Sequence, residues 1–352
     1  MEWFADYGLF LVKALTVLVV LGLLIGFVLT VSARQKQSDA EGTLKIRNLN
    51  DEFEDQSDEF AAHLLNEGDY KARRKALEKA KKAASKASKK QPKAAQDDKP
   101  ETRGRVFVLN FEGDMQASES QTLAQQISAV ISNSEQGDRV IVCLESPGGL
   151  VHSYGYAASQ LARIKTAGLR LTVAVDKVAA SGGYMMACVA DEIIAAPFAV
   201  IGSIGVVAQV PNFHRLLKKN DIDVEVLTAG KYKRTLTILG KNSDDGRQKF
   251  VAELEATHTL FKKFVSEHRP ALDVETVATG EIWYGTEALD IGLIDRIATS
   301  DEMILQLISD HDVYKITFEH KKTLAQRLGF AAEQGIARGF ERVWQTQFER
   351  WF

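Results

Sequence analysis

From Val140 to Leu144 the chain carries five apolar side chains in a row, Val-Ile-Val-Cys-Leu, and Ser146-Pro147-Gly148-Gly149 follows almost at once. Side chains alternate between the two faces of a strand, so an unbroken apolar run of this length needs cover on both faces. Parallel sheets flanked by helices supply such cover. Neighbouring segments fit the same scheme. RVFVLNFEG reads as a strand ending in a turn at Gly113, and LRLTVAVDKVA (169–179) as another. Between them, 118–133 places Leu123, Ile127, Val130 and Ile131 at helical spacing, and 148–168 reads as a helix ending near Gly168. Short strands are expected within 193–210 and 223–228, and a long helix over 244–268, closed by Pro270. Strand and helix in alternation predict an α/β fold of stacked βα units.

The formal net charge of −3 conceals unlike parts. Residues 1–70 carry 5 basic and 12 acidic side chains, residues 71–100 carry 12 and 3, and residues 101–352 carry 27 and 32. From Ala14 to Ala33 no side chain is charged. Such a run in a helix rises about 30 Å, the hydrocarbon thickness of a bilayer, so an N-terminal transmembrane helix is expected. A cleaved signal peptide is the rival, with Val31-Ser32-Ala33 as its cleavage site. The acidic start MEWFADY and the length of the run weigh against it. Arg34, Lys36, Lys45 and Arg47 follow the run, whereas only Lys13 precedes it, and this bias places the C-terminal side in the cytoplasm.

Residues 38–70 are polar and acidic, and 71–99 are Ala/Lys/Ser-rich low complexity. They read as a spacer, either a solvated tether or a contact with anionic headgroups. No aromatics interleave with the lysines, which speaks against nucleic acid as a partner. The division is then an anchor over 1–36, a spacer over 37–103, a globular domain over 104–300 and a C-terminal extension over 301–352. In that extension Ile336, Phe340, Val343, Trp344 and Phe348 mark one face of an amphipathic helix. It suits packing on the protein itself or on a membrane interface. The run 193–210 is apolar enough to suggest a second span, but Pro197, Gly202 and Gly205 favour short strands and turns.

Three clusters are equipped for chemistry. In Glu145-Ser146-Pro147-Gly148-Gly149, glycines let a turn present backbone N–H groups, as an oxyanion hole needs; Pro-Gly-Gly is also a common turn. In Ala179-Ala180-Ser181-Gly182-Gly183-Tyr184, a serine sits at a strand-to-helix turn among small residues; a plain N-cap serine is the simpler reading. In Gly230-Lys231-Tyr232-Lys233-Arg234-Thr235, a lysine acts as base only when neutral, which requires burial or neighbouring positive charge; most such loops are simply solvated. His152 is the one histidine close to a glycine cluster, and it falls on the following helix. Cys143 and Cys188 lie singly in apolar segments and read as core. There is no metal-ligand spacing, no Walker loop and no dinucleotide fingerprint, so no metal or cofactor is expected. Two cysteines in 352 residues exclude a disulfide-built scaffold.

Taken in order, these clusters resemble the signal peptide peptidase A family of Ser-Lys peptidases, in particular its SohB-type inner-membrane branch. VAASGGYMMACVAD, GSIGVVAQ and YKRTLT carry the likeness, together with the apolar start and the basic spacer. The resemblance implies a Clp-protease/crotonase-like fold and a membrane-anchored serine endopeptidase. Ser181 is then the nucleophile and Lys233 the general base, with Lys231 as fallback. The backbone N–H groups of Gly149 and Gly182 become the oxyanion donors. It also implies peptide or unstructured protein substrates, a ring-like homo-oligomer in which Ser181 meets Lys233 of a neighbour, and a periplasmic domain, against the cytoplasmic side that the positive residues favour. The rival functions are an inactive peptidase-like scaffold and an acyl-CoA enzyme of the crotonase type.

Overall fold

The computed structural model describes Thr16 and residues 42–89 and 103–320. In chain order the elements are β1 (Gly42–Asn48), α1 (Leu49–Leu64), α2 (Glu67–Lys89), β2 (Arg105–Glu112), α3 (Ser120–Asn133), β3 (Arg139–Glu145), α4 (Val151–Thr166), β4 (Arg170–Val175) and β5 (Val178–Ala180). There follow α5 (Gly182–Ala187), β6 (Glu192–Ala195), β7 (Val200–Gly202), α6 (His214–Lys219), α7 (Asp244–His268), α8 (Val274–Val277), β8 (Ile282–Tyr284), α9 (Gly285–Asp290), β9 (Arg296–Ile297), α10 (Ser300–Asp310) and β10 (Asp312–His320). The chain divides into a unit spanning 46–317 and a second made of 1–45 with 318–352. In the second unit, Lys45 pairs with Glu319 at 2.5 Å.

In the larger unit β10, β2, β3, β4, β6 and β9 lie side by side in that order, each parallel to the next. The alternation of strand side chains separates two apolar layers. Phe107, Leu109, Phe111, Val140, Val142 and Leu144 join the helices α3, α4, α5 and α7 on one face. Val106, Val108, Ile141, Ala174, Ile194 and Val313 join Met303 and Ile304 of α10 and Leu49 of α1 on the other. The uninterrupted apolar run of β3 is thus used on both sides. Each such side chain contributes about 1.5–3 kcal/mol by leaving water. Alternating βα units of this kind are consistent with the expected Clp-protease/crotonase-like arrangement.

A smaller sheet sets the site. β5 runs parallel to β7, and β7 antiparallel to β8. β3 reaches this sheet through one further pairing, the parallel bridge of Ser146 with Ala179. At the edge of the main sheet, next to β6 and β9, Arg269 grips Asp295 with two hydrogen bonds of 2.8 Å and Gly292 O with a third of 3.1 Å. Asp295 also accepts the Ile193 N–H at 2.7 Å, which ties the loop before β9 to β6.

Three expectations are corrected. First, no helix among the described residues is long and apolar enough to cross a membrane. The two longest, α2 and α7, carry charged residues along their whole length. The transmembrane helix is therefore withdrawn, and with it the single-pass inner-membrane location on either side. The run from Ala14 to Ala33 on which both rested lies, Thr16 apart, outside the described residues, as does the C-terminal amphipathic stretch from 324. Second, no strand forms over 223–228; that stretch is irregular and largely exposed. Third, part of the stretch read as spacer is built into the fold. Leu49 and Phe53 of α1 pack on the sheet, and Asn50 accepts the Val313 N–H at 2.8 Å while donating to Ile308 O and His311 O.

The Asp295 clamp has a pH signature. Burial works against the carboxylate, but Arg269 and the Ile193 N–H outweigh it and hold Asp295 below the ordinary carboxylate range. Its contribution is therefore present above about pH 4 and lost as pH falls through the depressed value. Arg269→Ala should lower stability by about 1–3 kcal/mol at pH 7 and by less at pH 3, as read by denaturant melts at both pH values.

Candidate active site

The glycine-rich turn after β3 and the serine turn after β5 are far apart in sequence, and backbone pairing brings them together. Ser146 N–H donates to Val178 O at 2.8 Å, and Ala180 N–H donates back to Ser146 O at 3.0 Å. Ser181 N–H donates to Gly202 O at 2.8 Å, fixing the end of β5 on the end of β7. Helix α5 starts at the next residue, and Met185 N–H closes its first turn on Ser181 O at 2.9 Å.

Between these anchors Ser181 adopts φ 53° and ψ −117°. A non-glycine residue pays about 1–3 kcal/mol for backbone of this kind. In the run 179–190 Ser181 is the only residue that is not buried. The turn thus lifts one hydroxyl out of an apolar bed. Gly148, at φ 89°, passes so close that a Cβ there would lie 2.7 Å from Ser181 Cβ and 2.8 Å from Gly182 N. Gly182 is packed against the Tyr154 ring with no room for a side chain. The first two clusters therefore form one site.

The third cluster does not join it within the chain. Lys233 is exposed on a turn closed by its own N–H to Gly230 O at 3.2 Å, and no hydrogen bond or ion pair links it to Ser181. Lys231 sits 4.8 Å above the Tyr232 ring and 3.5 Å from Asp245. Tyr232 and Asp245 raise its pKa, so Lys231 is held as a cation and is a poor fallback base. Both lysines belong to a segment, 203–243, whose only regular element is α6. It leaves Val207 85% and Leu227 88% exposed.

The other candidates fall away. His152 lies exposed in the first turn of α4. Cys188 is buried, and burial pushes its thiol far up; Cys143 is partly buried, and burial, helped by Asp176, pushes its thiol up to about 11. A cavity of about 290 Å³, lined by Arg47, Phe53, Cys143, Asp176, Ser300 and Lys315 among others, touches neither Ser181 nor Lys233. Among the described residues no cluster of His, Cys, Asp and Glu is grouped to hold a metal.

Sequence reasoning missed two side chains beneath the site. Ser146 Oγ lies 2.6 Å from the Tyr154 hydroxyl, which donates to Asp114 O at 2.8 Å. Both side chains are fully buried. The one signal in the sequence is a tyrosine eight residues after the serine, in the first turns of α4.

Residues 2–161 match the model of the peptidase family S49 N-terminal region, and residues 163–314 match that of peptidase family S49. The chain belongs to peptidase family S49. It is 51% identical over 328 residues to a probable protease SohB of Haemophilus influenzae, covering 93% of this chain and 92% of the relative. It is 44% identical over 305 residues to a probable protease SohB of Buchnera aphidicola subsp. Schlechtendalia chinensis, covering 87% and 99%. To a putative protease SohB of Buchnera aphidicola subsp. Baizongia pistaciae it is 40% identical over 330 residues, covering 93% and 94%. As an S49 member it is a serine-type endopeptidase acting on peptide or protein, which sets aside the scaffold and acyl-CoA readings.

Two outcomes follow for this S49 chain. Gly182→Ala must push the Tyr154 ring or the elbow aside, so it should cost about 1–3 kcal/mol and reduce peptidase activity; thermal melts and turnover of labelled casein check both. The Cys143 thiol, at about 11, is almost wholly protonated at neutral pH. Its alkylation by iodoacetamide should be slow at pH 7 and rise about tenfold per pH unit up to pH 10, as read by mass spectrometry.

Proposed function

We propose that this S49 peptidase works through a Ser-Lys dyad, with Ser181 as nucleophile and Lys233 as general base. The observation that carries the reading is the strained, solvent-reaching Ser181 turn held in contact with Gly148. In the neutral form Lys233 Nζ takes the proton of Ser181 Oγ, which bonds to the peptide carbonyl carbon. The carbonyl oxygen becomes an oxyanion. The C–N bond then breaks, and Lys233 returns its proton to the leaving amine, giving an acyl-enzyme. Water gives a proton to the same lysine and attacks the ester. The acid departs and Ser181 recovers its hydrogen.

Amide bookkeeping supports Gly149 and Gly182 as the oxyanion donors. Pro147 has no N–H, Gly148 N–H is taken by Ser146 Oγ at 3.1 Å, and Leu150 N–H by Met115 O at 2.9 Å. Gly149 is left as the donor of that turn. Gly182 opens α5, where the helix itself offers its N–H no acceptor.

The base comes from a neighbouring copy on this reading. No hydrogen bond or ion pair links Lys233 to Ser181 in its own chain, and it rides on a segment with exposed apolar residues, which suits an intersubunit surface. Ser181→Ala and Lys233→Ala should each lower kcat by about a thousandfold or more. Mixing the two variants should restore part of the activity, because some sites then combine an intact serine with an intact lysine. Wild-type turnover by folded Ser181→Ala sinks the nucleophile assignment. Mixed oligomers without recovery sink the shared site.

A further inference from the structure

We infer that Tyr154 and Ser146 are positioning residues that aim the oxyanion turn of this peptidase at Ser181. The inference rests on the reading of Ser181 as nucleophile and of Gly149 and Gly182 as oxyanion donors.

Every hydrogen in the group has one place to go. The Asp114 carbonyl can only accept, so the Tyr154 hydroxyl donates to it, at 2.8 Å. The Gly148 N–H can only donate, so Ser146 Oγ accepts from it, at 3.1 Å. The Tyr154 hydrogen being spent, the Ser146 hydroxyl must donate to the Tyr154 oxygen across the 2.6 Å between them. The order is Gly148 N–H to Ser146 O–H to Tyr154 O–H to Asp114 C=O, with no donor left over. Burial raises the Tyr154 pKa above its ordinary value, so the phenol keeps its hydrogen at working pH.

This chain touches both halves of the oxyanion hole. At one end it draws the Gly148 amide inward, which fixes the plane of the preceding peptide and leaves Gly149 to face substrate. Along its side, the Tyr154 ring is the surface on which Gly182 rests. At the far end it is anchored in a loop that is itself tied down. Asp114 accepts from Gln116 N–H at 3.1 Å, Ser118 N–H at 2.9 Å and Ser118 Oγ at 2.7 Å. Met115 O of the same loop receives Leu150 N–H. A buried network with all its partners satisfied is stiff. Oxyanion donors gain their effect by being in place before charge develops, and a misplacement of about 1 Å costs about a hundredfold in rate.

The test uses the full chain and fluorescein-labelled casein. Tyr154→Phe and Ser146→Ala should each lower kcat about 10- to 100-fold, with KM within about twofold. The double variant should be no slower than the slower single one, because both break the same chain. Labelling of Ser181 by a fluorophosphonate should slow by a similar factor, and the 31P resonance of the adduct should shift. Asp138→Ala is the stability control: it removes the Arg105 ion pair and should lower the melting temperature with kcat unchanged. If Tyr154→Phe does not fold, Ser146→Ala carries the comparison. The inference is overturned if kcat stays within twofold of wild type, if the losses of the single variants multiply in the double, or if the 31P resonance does not move. Activity surviving in Ser181→Ala would overturn the nucleophile reading beneath it, an outcome distinct from a dead Ser181→Ala beside a fully active Tyr154→Phe.

Discussion

The backbone of Ser181 stands where an L-residue resists standing, and three neighbours hold it there. Its N–H is bound to the end of β7, its carbonyl is bound by the first turn of α5, and Gly148 presses against its Cβ position. The smaller sheet exists in service of this arrangement. β3 leaves the main sheet after Glu145 and pairs again at Ser146 with β5, so the Ser181 turn and the Pro-Gly-Gly turn become neighbours. The strain, about 1–3 kcal/mol, is small beside the burial that surrounds it.

That burial is two-sided, and the two sides have different duties. The layer containing α3, α4 and α5 carries Tyr154 and Gly182 and so supports the site directly. The layer containing α1 and α10 closes the other face of the sheet. The Asp176 carboxylate, just past β4, accepts Ser300 N–H at 2.8 Å and Ser300 Oγ at 2.5 Å, and so fixes the start of α10. The second layer meets neither Ser181 nor the Pro-Gly-Gly turn, whereas the first packs directly beneath them.

Periodicity made most of the main unit readable. The apolar run at 140–144 predicted double-sided cover because a strand has only two faces, and the helices over 118–133 and 244–268 fell within two residues of α3 and α7. The expectations failed where pattern cannot say what covers an apolar residue. Around 223–228 Val226 and Leu227 are exposed, Leu227 almost wholly, so the short apolar stretch expected as a strand finds no cover. In α1 an acidic surface masked Leu49 and Phe53, which reach the sheet through only one face of the helix. Ser181 stood out in the sequence because small residues crowd it at a strand-to-helix turn. The Ser146–Tyr154 pair was not, because a serine before Pro-Gly-Gly and a tyrosine in a helix are each unremarkable until α4 folds back under the turn.

Two parts of the site differ in how they are held. Ser181, Gly148, Ser146 and Tyr154 are fixed by backbone pairing and buried hydrogen bonds within one chain, and need no partner to take their positions. Lys233 is tied by a single local turn on a segment with little regular structure and exposed apolar residues. Folding of the chain can therefore be complete while the proposed dyad is not. On that reading, stability and catalytic competence are separate properties of this peptidase. The first is decided by the parallel sheet and its two layers, and the second by what is placed against an elbow already strained into shape. A substitution in 203–243 that leaves the melting temperature untouched can still abolish turnover, and one in the core can do the reverse.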